Sequence, residues 1–174
     1  MGGCVAGNYN GLVARKADVE NKWAQVDNQL QRRNDLIGNL VETVKGAAGQ
    51  EQTVFGEIAQ ARAAMAGAKT REAGIAAAQG MDNAIGRLLV VVENYPQLKS
   101  MESFTQLMDE VAGTENRIAT ERMRYNDSVK EFNAYIKGIP RVLYAGTLGF
   151  TAQKYFEALP EAQQVPKVDC GTKK

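Results

Sequence analysis

Two stretches of this 174-residue chain place apolar side chains at alternating steps of four and three residues. The first pattern runs from Val19 to Val44, and the second runs from Phe104 to Ile136. A repeat of this kind keeps its members on one face of an α-helix, where they pack against a partner helix as in a coiled coil. The two patterns, here called the seams, therefore predict two long helices, at about residues 10–48 and 101–137.

The sequence between the two seams predicts a pair of shorter helices, at about residues 50–66 and 70–94. Gly67 and Gly74 enclose a polar turn between them. Thr70 lies in this turn and is a residue type that caps helix N-termini. The two short helices are therefore expected to fold back on each other as a hairpin.

Tyr95-Pro96 is expected to end the hairpin, because proline keeps the residue before it out of the helical conformation. Ser100 is expected to cap the long helix that follows. The predicted fold class is all-α: an elongated, antiparallel up-and-down four-helix bundle with two long helices and a short helical hairpin, plus an irregular C-terminal segment. In a three-helix alternative, the two short helices join into one.

The domain organisation that follows has three parts. Residues 1–8 are expected to form an N-terminal segment, which the motif at Cys4 described below would place next to an anchor, and residues 9–140 are expected to form the helical bundle. Residues 141–174 form a C-terminal segment that packs on the bundle or trails from it.

Three charged residues occupy seam positions where an apolar side chain is expected, namely Arg33, Glu115 and Arg122. An unpaired buried charge is costly, so these groups should find one another or reach water. In an antiparallel register with Val44 level with Phe104, Arg33 lies opposite Glu115. The three residues are predicted to form a buried polar network.

This network has two interpretations. It is a structural ion pair that fixes the register of the helices, or it is a polar pocket that binds a small ligand or anion. If Glu115 compensates a buried arginine, replacing it with alanine should destabilise the chain by about 3–5 kcal/mol.

The absence of histidine removes the commonest general base and the commonest zinc ligand. With 21 basic and 20 acidic residues, the chain also lacks the basic excess of a nucleic-acid-binding module. We therefore expect no enzymatic activity, catalytic residue, metal site or cofactor, and no nucleic-acid partner. No apolar window reaches the roughly 18 residues of a membrane span.

The N-terminal Gly2-Gly3-Cys4 resembles the end of a bacterial lipoprotein signal, where a small residue precedes the cysteine that receives the lipid. On this interpretation Cys4 is a lipidation site, and Met1 begins a shortened form of a precursor with an apolar leader. The alternative is a flexible terminus with a free thiol. Cys170, near the other end, could form a disulfide with Cys4 only if the fold brings the two termini together.

Several distinct motifs are spread in order over nearly the whole chain. They are Tyr9–Val13, Lys22–Ile37, Asn39–Gly46, Gly86–Leu89, Tyr95–Lys99, Gly113–Ala119, Arg124–Asn126, Gly149–Phe150, Tyr155–Phe156 and Pro166–Val168. With these motifs the chain resembles the LemA family of bacterial proteins. The chain departs from the family at Gly38, where proline is usual, and at Cys170, where an aromatic residue is usual. Gly38 is expected to make the middle of the first helix more flexible.

The resemblance implies a bundle of four main helices that is attached to a membrane at its N-terminus and has no established enzymatic activity. Some family members use a lipoprotein cysteine as the anchor, and Cys4 lies where such an anchor would end. We therefore expect a membrane-anchored scaffold or adaptor of the bacterial cell envelope, a periplasm-facing lipoprotein whose protein partners bind its helix surfaces.

Overall fold

The computed structural model describes residues 2–49 and 51–156, and these residues form helices and turns without a β-strand. The helices are α1 (Gly2–Ala48), α2 (Gln52–Ala66), α3 (Arg71–Glu93), the single turn α4 (Pro96–Lys99) and α5 (Glu102–Lys137). A 3₁₀ turn, Arg141–Leu143, follows α5. The predicted all-α fold is confirmed, with two long helices and a hairpin between them.

The two long helices α1 and α5 form the frame of the molecule and make its most extensive contact. Every seam residue of α1 is buried except Trp23, which is partly buried. Trp23 lies edge-on to Tyr125 of α5, with ring centroids 5.4 Å apart. The helices are therefore antiparallel in the register that the seams predict, and α5 brings the chain back to the N-terminal end of α1.

The hairpin of α2 and α3 covers only the half of the frame that lies farther from the N-terminus. Phe55, Ile58 and Leu88 of the hairpin share a buried cluster with Leu40 of α1. At the start of α3, a Cβ added to Gly74 would lie 3.3 Å from Trp23, so the backbone approaches the indole closely there. The two short helices are separate, which excludes the three-helix alternative.

The C-terminal segment covers the other half of the frame. Ala145, Phe150 and Phe156 are buried in a second cluster with residues of α1 and α5, including Leu12 and Val129. The described part of this segment, 141–156, therefore packs on the bundle. Residues 157–174 lie outside the described part of the chain.

Two helix ends differ from the sequence-based prediction. Helix α1 begins at Gly2 rather than near residue 10, because no proline interrupts it and the helix continues through the isolated glycines Gly7 and Gly11. Ser100 does not cap α5; its hydroxyl donates to the carbonyl of Gln97 at 2.9 Å and closes α4. Thr70 does cap α3, since its side chain accepts from the backbone N–H of Ala73 at 3.1 Å.

One helix among the described residues, α3, is long and apolar enough to cross a membrane by length and composition. Its mean hydropathy reaches 1.2, and 44% of its most apolar window is buried inside the bundle. The core helix of a globular bundle meets the same criteria, so this feature is weak evidence for a membrane span.

Candidate functional site

A cluster of three charged side chains, of which only the arginine is buried, joins three helices. Arg33 of α1 is 9% exposed, and its Nη1 lies 2.6 Å from Oδ1 of Asp82 and 2.8 Å from Oε2 of Glu115. Asp82 belongs to α3 and Glu115 to α5, and their side chains are 37% and 52% exposed. The guanidinium is thus compensated by two carboxylates that also reach water. This cluster, Arg33–Asp82–Glu115, is called the ion cluster below.

The structure does not bring Arg122 into the ion cluster. Its guanidinium carbon lies 5.5 Å from the centre of the Phe156 ring. Arg122 is two helical turns from Glu115, at a level where the C-terminal segment has replaced the hairpin as the neighbour of the frame. It therefore covers an aromatic ring of that segment.

The ion-cluster residue that the sequence analysis missed is Asp82. It lies four residues after Ala78 and three before Ile85, both of which are buried on the inner face of α3. The same spacing that marks Arg33 and Glu115 as charged residues in a seam therefore marks Asp82 in the third helix. Its alanine-rich surroundings make that helical face less conspicuous than the two long seams.

A second arginine, Arg62 of α2, lies against Gly38, the position where the chain departs from the family pattern. A Cβ added to Gly38 would lie 2.6 Å from a terminal nitrogen of Arg62. The buried Nε of Arg62 has no hydrogen-bond partner among the described residues. The missing side chain at Gly38 therefore provides the space that the Arg62 guanidinium occupies between α1 and α2.

Two asparagines of α5, seven residues apart, hold the C-terminal segment in place. Asn133 donates to the carbonyl of Gln153 and accepts from its N–H, both at 2.8 Å. Asn126 makes the same pair of bonds to Phe156, at 3.0 and 2.8 Å. Each amide side chain thus satisfies both backbone groups of one residue in a segment without secondary structure. We call this arrangement the asparagine clamp.

Tyr125, the residue before Asn126 on α5, binds the C-terminal segment between the two residues that the clamp holds. Its hydroxyl donates to the carbonyl of Lys154 at 2.9 Å, and the residue is 1% exposed. Burial raises the pKa of Tyr125 above its usual value of 10.0, although the nearby guanidinium of Arg71 partly opposes this shift. The phenol is therefore held in its neutral form, as a donor that anchors the segment.

A polar groove with a volume of about 720 Å³ runs along α5 and is also lined by one residue of α1. The lining residues include two arginines, three acidic residues, two threonines and one glutamine. They are Arg32, Glu102, Thr105, Gln106, Asp109, Glu110, Gly113, Thr114 and Arg117. A Cβ added at Gly113 would have no group of residues 2–49 or 51–156 within 4 Å, so the groove is open above this residue.

The predicted lipidation site, Cys4, belongs to the first turns of α1. The loop after α5 meets this end of α1, because Arg141 donates to the side-chain oxygen of Asn8 at 3.2 Å. The other cysteine, Cys170, lies outside the described residues. In the described part of the chain, no group of three or more Cys, Asp or Glu residues is arranged to hold a metal ion.

Comparisons with known proteins agree on one family. The LemA family model matches residues 22–170. Magnetosome protein MamQ 2 of Paramagnetospirillum magneticum is 29% identical over 178 aligned positions, and magnetosome protein MamQ of Magnetospirillum gryphiswaldense is 28% identical. Each match covers 87% of this chain and 65% of the relative. The chain therefore spans about two thirds of the length of these relatives.

Proposed function

The chain belongs to the LemA family, and on this basis we propose that it is a membrane-anchored helical scaffold of the bacterial cell envelope that catalyses no reaction of its own. In this proposal Cys4 carries the lipid anchor, the bundle faces the periplasm, and partner proteins bind to the exposed faces of the long helices.

The observation that carries the proposal is the arrangement of the two ends of the frame. Helix α1 is unbroken over 47 residues, and α5 returns the chain to the same end. At ~1.5 Å per residue α1 is on the order of 70 Å long. An anchor at Cys4 would hold one end of this rod and leave its sides accessible at a distance from the membrane.

The polar groove is the surface that we assign to a partner protein. It combines Arg32 and Arg117 with Glu102, Asp109 and Glu110. A partner segment with both acidic and basic residues could therefore form ion pairs with both kinds of charge in the groove. The groove lies on the α5 surface beside the half of the frame that the hairpin covers, far from the anchored end.

The alternative function, a small-ligand or anion-binding module built on Arg33, Glu115 and Arg122, has less support. Two carboxylates already compensate Arg33, so the ion cluster has a net negative charge that would repel an added anion. Arg122 lies against Phe156 and adds no positive charge at that position. These contacts favour the structural role.

Photo-crosslinking in the native bacterium tests the scaffold proposal. A photoreactive residue replaces Gln106, which is exposed in the groove, and in a control chain it replaces Glu20, which is exposed on α1 outside the groove. We expect a discrete protein adduct from position 106 that is absent at position 20. The same background at both positions would contradict the assignment of the groove.

A further inference from the structure

Two stretches of the sequence, bordered by Asp18 and Glu131, contain basic residues and no acidic ones. From Met1 to Ala17 the charged residues are Arg15 and Lys16, and from Phe132 to Phe156 they are Lys137, Arg141 and Lys154. Acidic residues make up nearly half of the charged residues in the whole chain, so two such stretches depart from the average pattern.

The fold brings these two stretches together. Arg15 and Arg141 each place a guanidinium over the ring of Tyr135, at 4.5 and 3.9 Å from its centroid. Tyr9 lies edge-on to Phe150, with centroids 5.9 Å apart. Arg15 is paired with Glu131 at 3.2 Å, so the net positive charge where α5 stops beside α1 comes from Lys16, Lys137 and Arg141. Lys154 lies farther from this end, with its Nζ 3.9 Å from Oε1 of Glu72.

The loop that closes this end exposes large apolar side chains. Ile139 is 85% exposed, Leu143 is 78% exposed, and Val142 and Leu148 are 51% and 45% exposed. Their neighbours Ala145 and Phe150 are buried, so the loop has an inner face fixed on the bundle and an outer face of aliphatic groups. Solitary exposed apolar residues are ordinary, whereas a group of four in ten residues marks an interaction surface.

We propose that the loop at residues 138–149 inserts its aliphatic side chains into an anionic lipid bilayer and sets the bundle upright on the membrane. This inference rests on the proposed membrane attachment, since it assigns a second contact beside the anchor. Aliphatic groups flanked by Lys137, Lys16 and Arg141 suit the boundary between acyl chains and anionic headgroups.

The shape of this end favours a bilayer over a protein partner. The aliphatic groups belong to the loop that ends the α5 side of the rod, and the chain then turns back, because the asparagine clamp holds Gln153 and Phe156 progressively farther from this end. Helix α1 passes Arg141 at Asn8 and continues for six residues, about 9 Å, to Gly2, so Cys4 lies about one helical turn beyond the level of the loop.

The test imposes the attachment chemically, so that it does not depend on a native anchor. The full chain with Cys170→Ser is coupled through Cys4 to a maleimide lipid in vesicles of phosphatidylcholine and phosphatidylglycerol. Tryptophan is introduced by Leu143→Trp or, as the matched control, by Val90→Trp, which replaces an aliphatic residue that is 61% exposed on α3. Val90 lies about 45 Å from the loop along the bundle axis at ~1.5 Å per residue.

Quenching by acyl-chain-brominated lipids is then compared with the parent chain, which contains only Trp23. We expect strong quenching and a blue shift for Leu143→Trp and none for Val90→Trp. Quenching of neither variant, or of both equally, would overturn the inference. In a second assay, the uncoupled chain with Ile139→Ser and Leu143→Ser should bind anionic vesicles at least about tenfold more weakly than the parent, and an unchanged affinity would count against the loop.

Fractionation of native cells tests the membrane attachment itself. A chain that is absent from native membranes but quenched at position 143 in the coupled vesicles would refute the proposed function and leave the bilayer affinity of the loop intact. A chain that is present in native membranes but unquenched at position 143 would refute the insertion of the loop and leave the proposed membrane attachment intact.

Discussion

Removing the two carboxylates of the ion cluster, one at a time and together, gives the sharpest test of how the interior is held. In Asp82→Asn or Glu115→Gln, Arg33 keeps one carboxylate, at 2.8 or 2.6 Å respectively. Because both carboxylates are partly exposed, we expect each single change to lower the free energy of unfolding by about 1 kcal/mol. The earlier expectation of about 3–5 kcal/mol for Glu115→Ala assumed a single partner, and Asp82 reduces it to about 1–2 kcal/mol.

The double variant Asp82→Asn/Glu115→Gln leaves the guanidinium of Arg33 buried without a counter-charge. The loss should then be about 3–5 kcal/mol, which exceeds the sum of the single changes by about 1–3 kcal/mol. Urea unfolding followed by circular dichroism measures all three variants. Adding Arg33→Met to the double variant should recover much of the loss, because no buried charge remains.

An exposed ion pair provides the matched control. Arg15 and Glu131 are 43% and 70% exposed at 3.2 Å, so Glu131→Gln should change the free energy of unfolding by no more than about 0.5 kcal/mol. If the Asp82 and Glu115 changes add within about 0.5 kcal/mol, the two carboxylates do not share one arginine, and the proposed compensation is refuted.

Of three further predictions, two concern the C-terminal segment and one concerns the helix glycine Gly86. Asn133→Ala removes both bonds to Gln153 and should cost about 1–3 kcal/mol, with faster tryptic cleavage after Lys154; cleavage at the parent rate would contradict the clamp. Tyr125→Phe should lose about 1 kcal/mol at neutral pH. The folded-state pKa of Tyr125 is raised, so this stabilisation is present below pH 10 and is lost as the pH rises above it. The difference in the free energy of unfolding between parent and variant should therefore narrow at alkaline pH. A constant difference from pH 7 to 11 would refute this prediction. Gly86→Ala should raise the free energy of unfolding by about 0.8–1 kcal/mol, since no group lies within 4 Å of the added Cβ, and an unchanged urea midpoint would be inconsistent with an open helix surface there.

The frame of the molecule could be predicted from the sequence because its information is local and periodic. The seams determine the buried face and the register of α1 and α5, and one polar turn with Thr70 determines the hairpin. Trp23 meets Tyr125, and Arg33 meets Glu115, because a seven-residue period on both helices leaves few other antiparallel registers.

The parts that sequence reasoning missed depend on a competing local turn at Ser100 and on long-range contacts of the C-terminal segment. Ser100 has the right side chain for an N-cap, but Pro96 starts a short turn that Ser100 closes instead. The C-terminal segment has no periodicity, so nothing local reveals that Asn126 and Asn133 bind its backbone. Arg122 leaves the ion cluster because this segment supplies Phe156 at its level.

The central claim is that Cys4 tethers the helical frame to a membrane, and the mass of the protein recovered from native membranes tests it most directly. Membranes of the native bacterium are washed with alkaline carbonate, and the retained chain is digested and analysed by mass spectrometry alongside a Cys4→Ser strain. We predict a lipid-modified peptide containing Cys4 in the pellet, and release of the Cys4→Ser chain into the wash. An unmodified Cys4 in a chain that the wash releases completely would contradict the account.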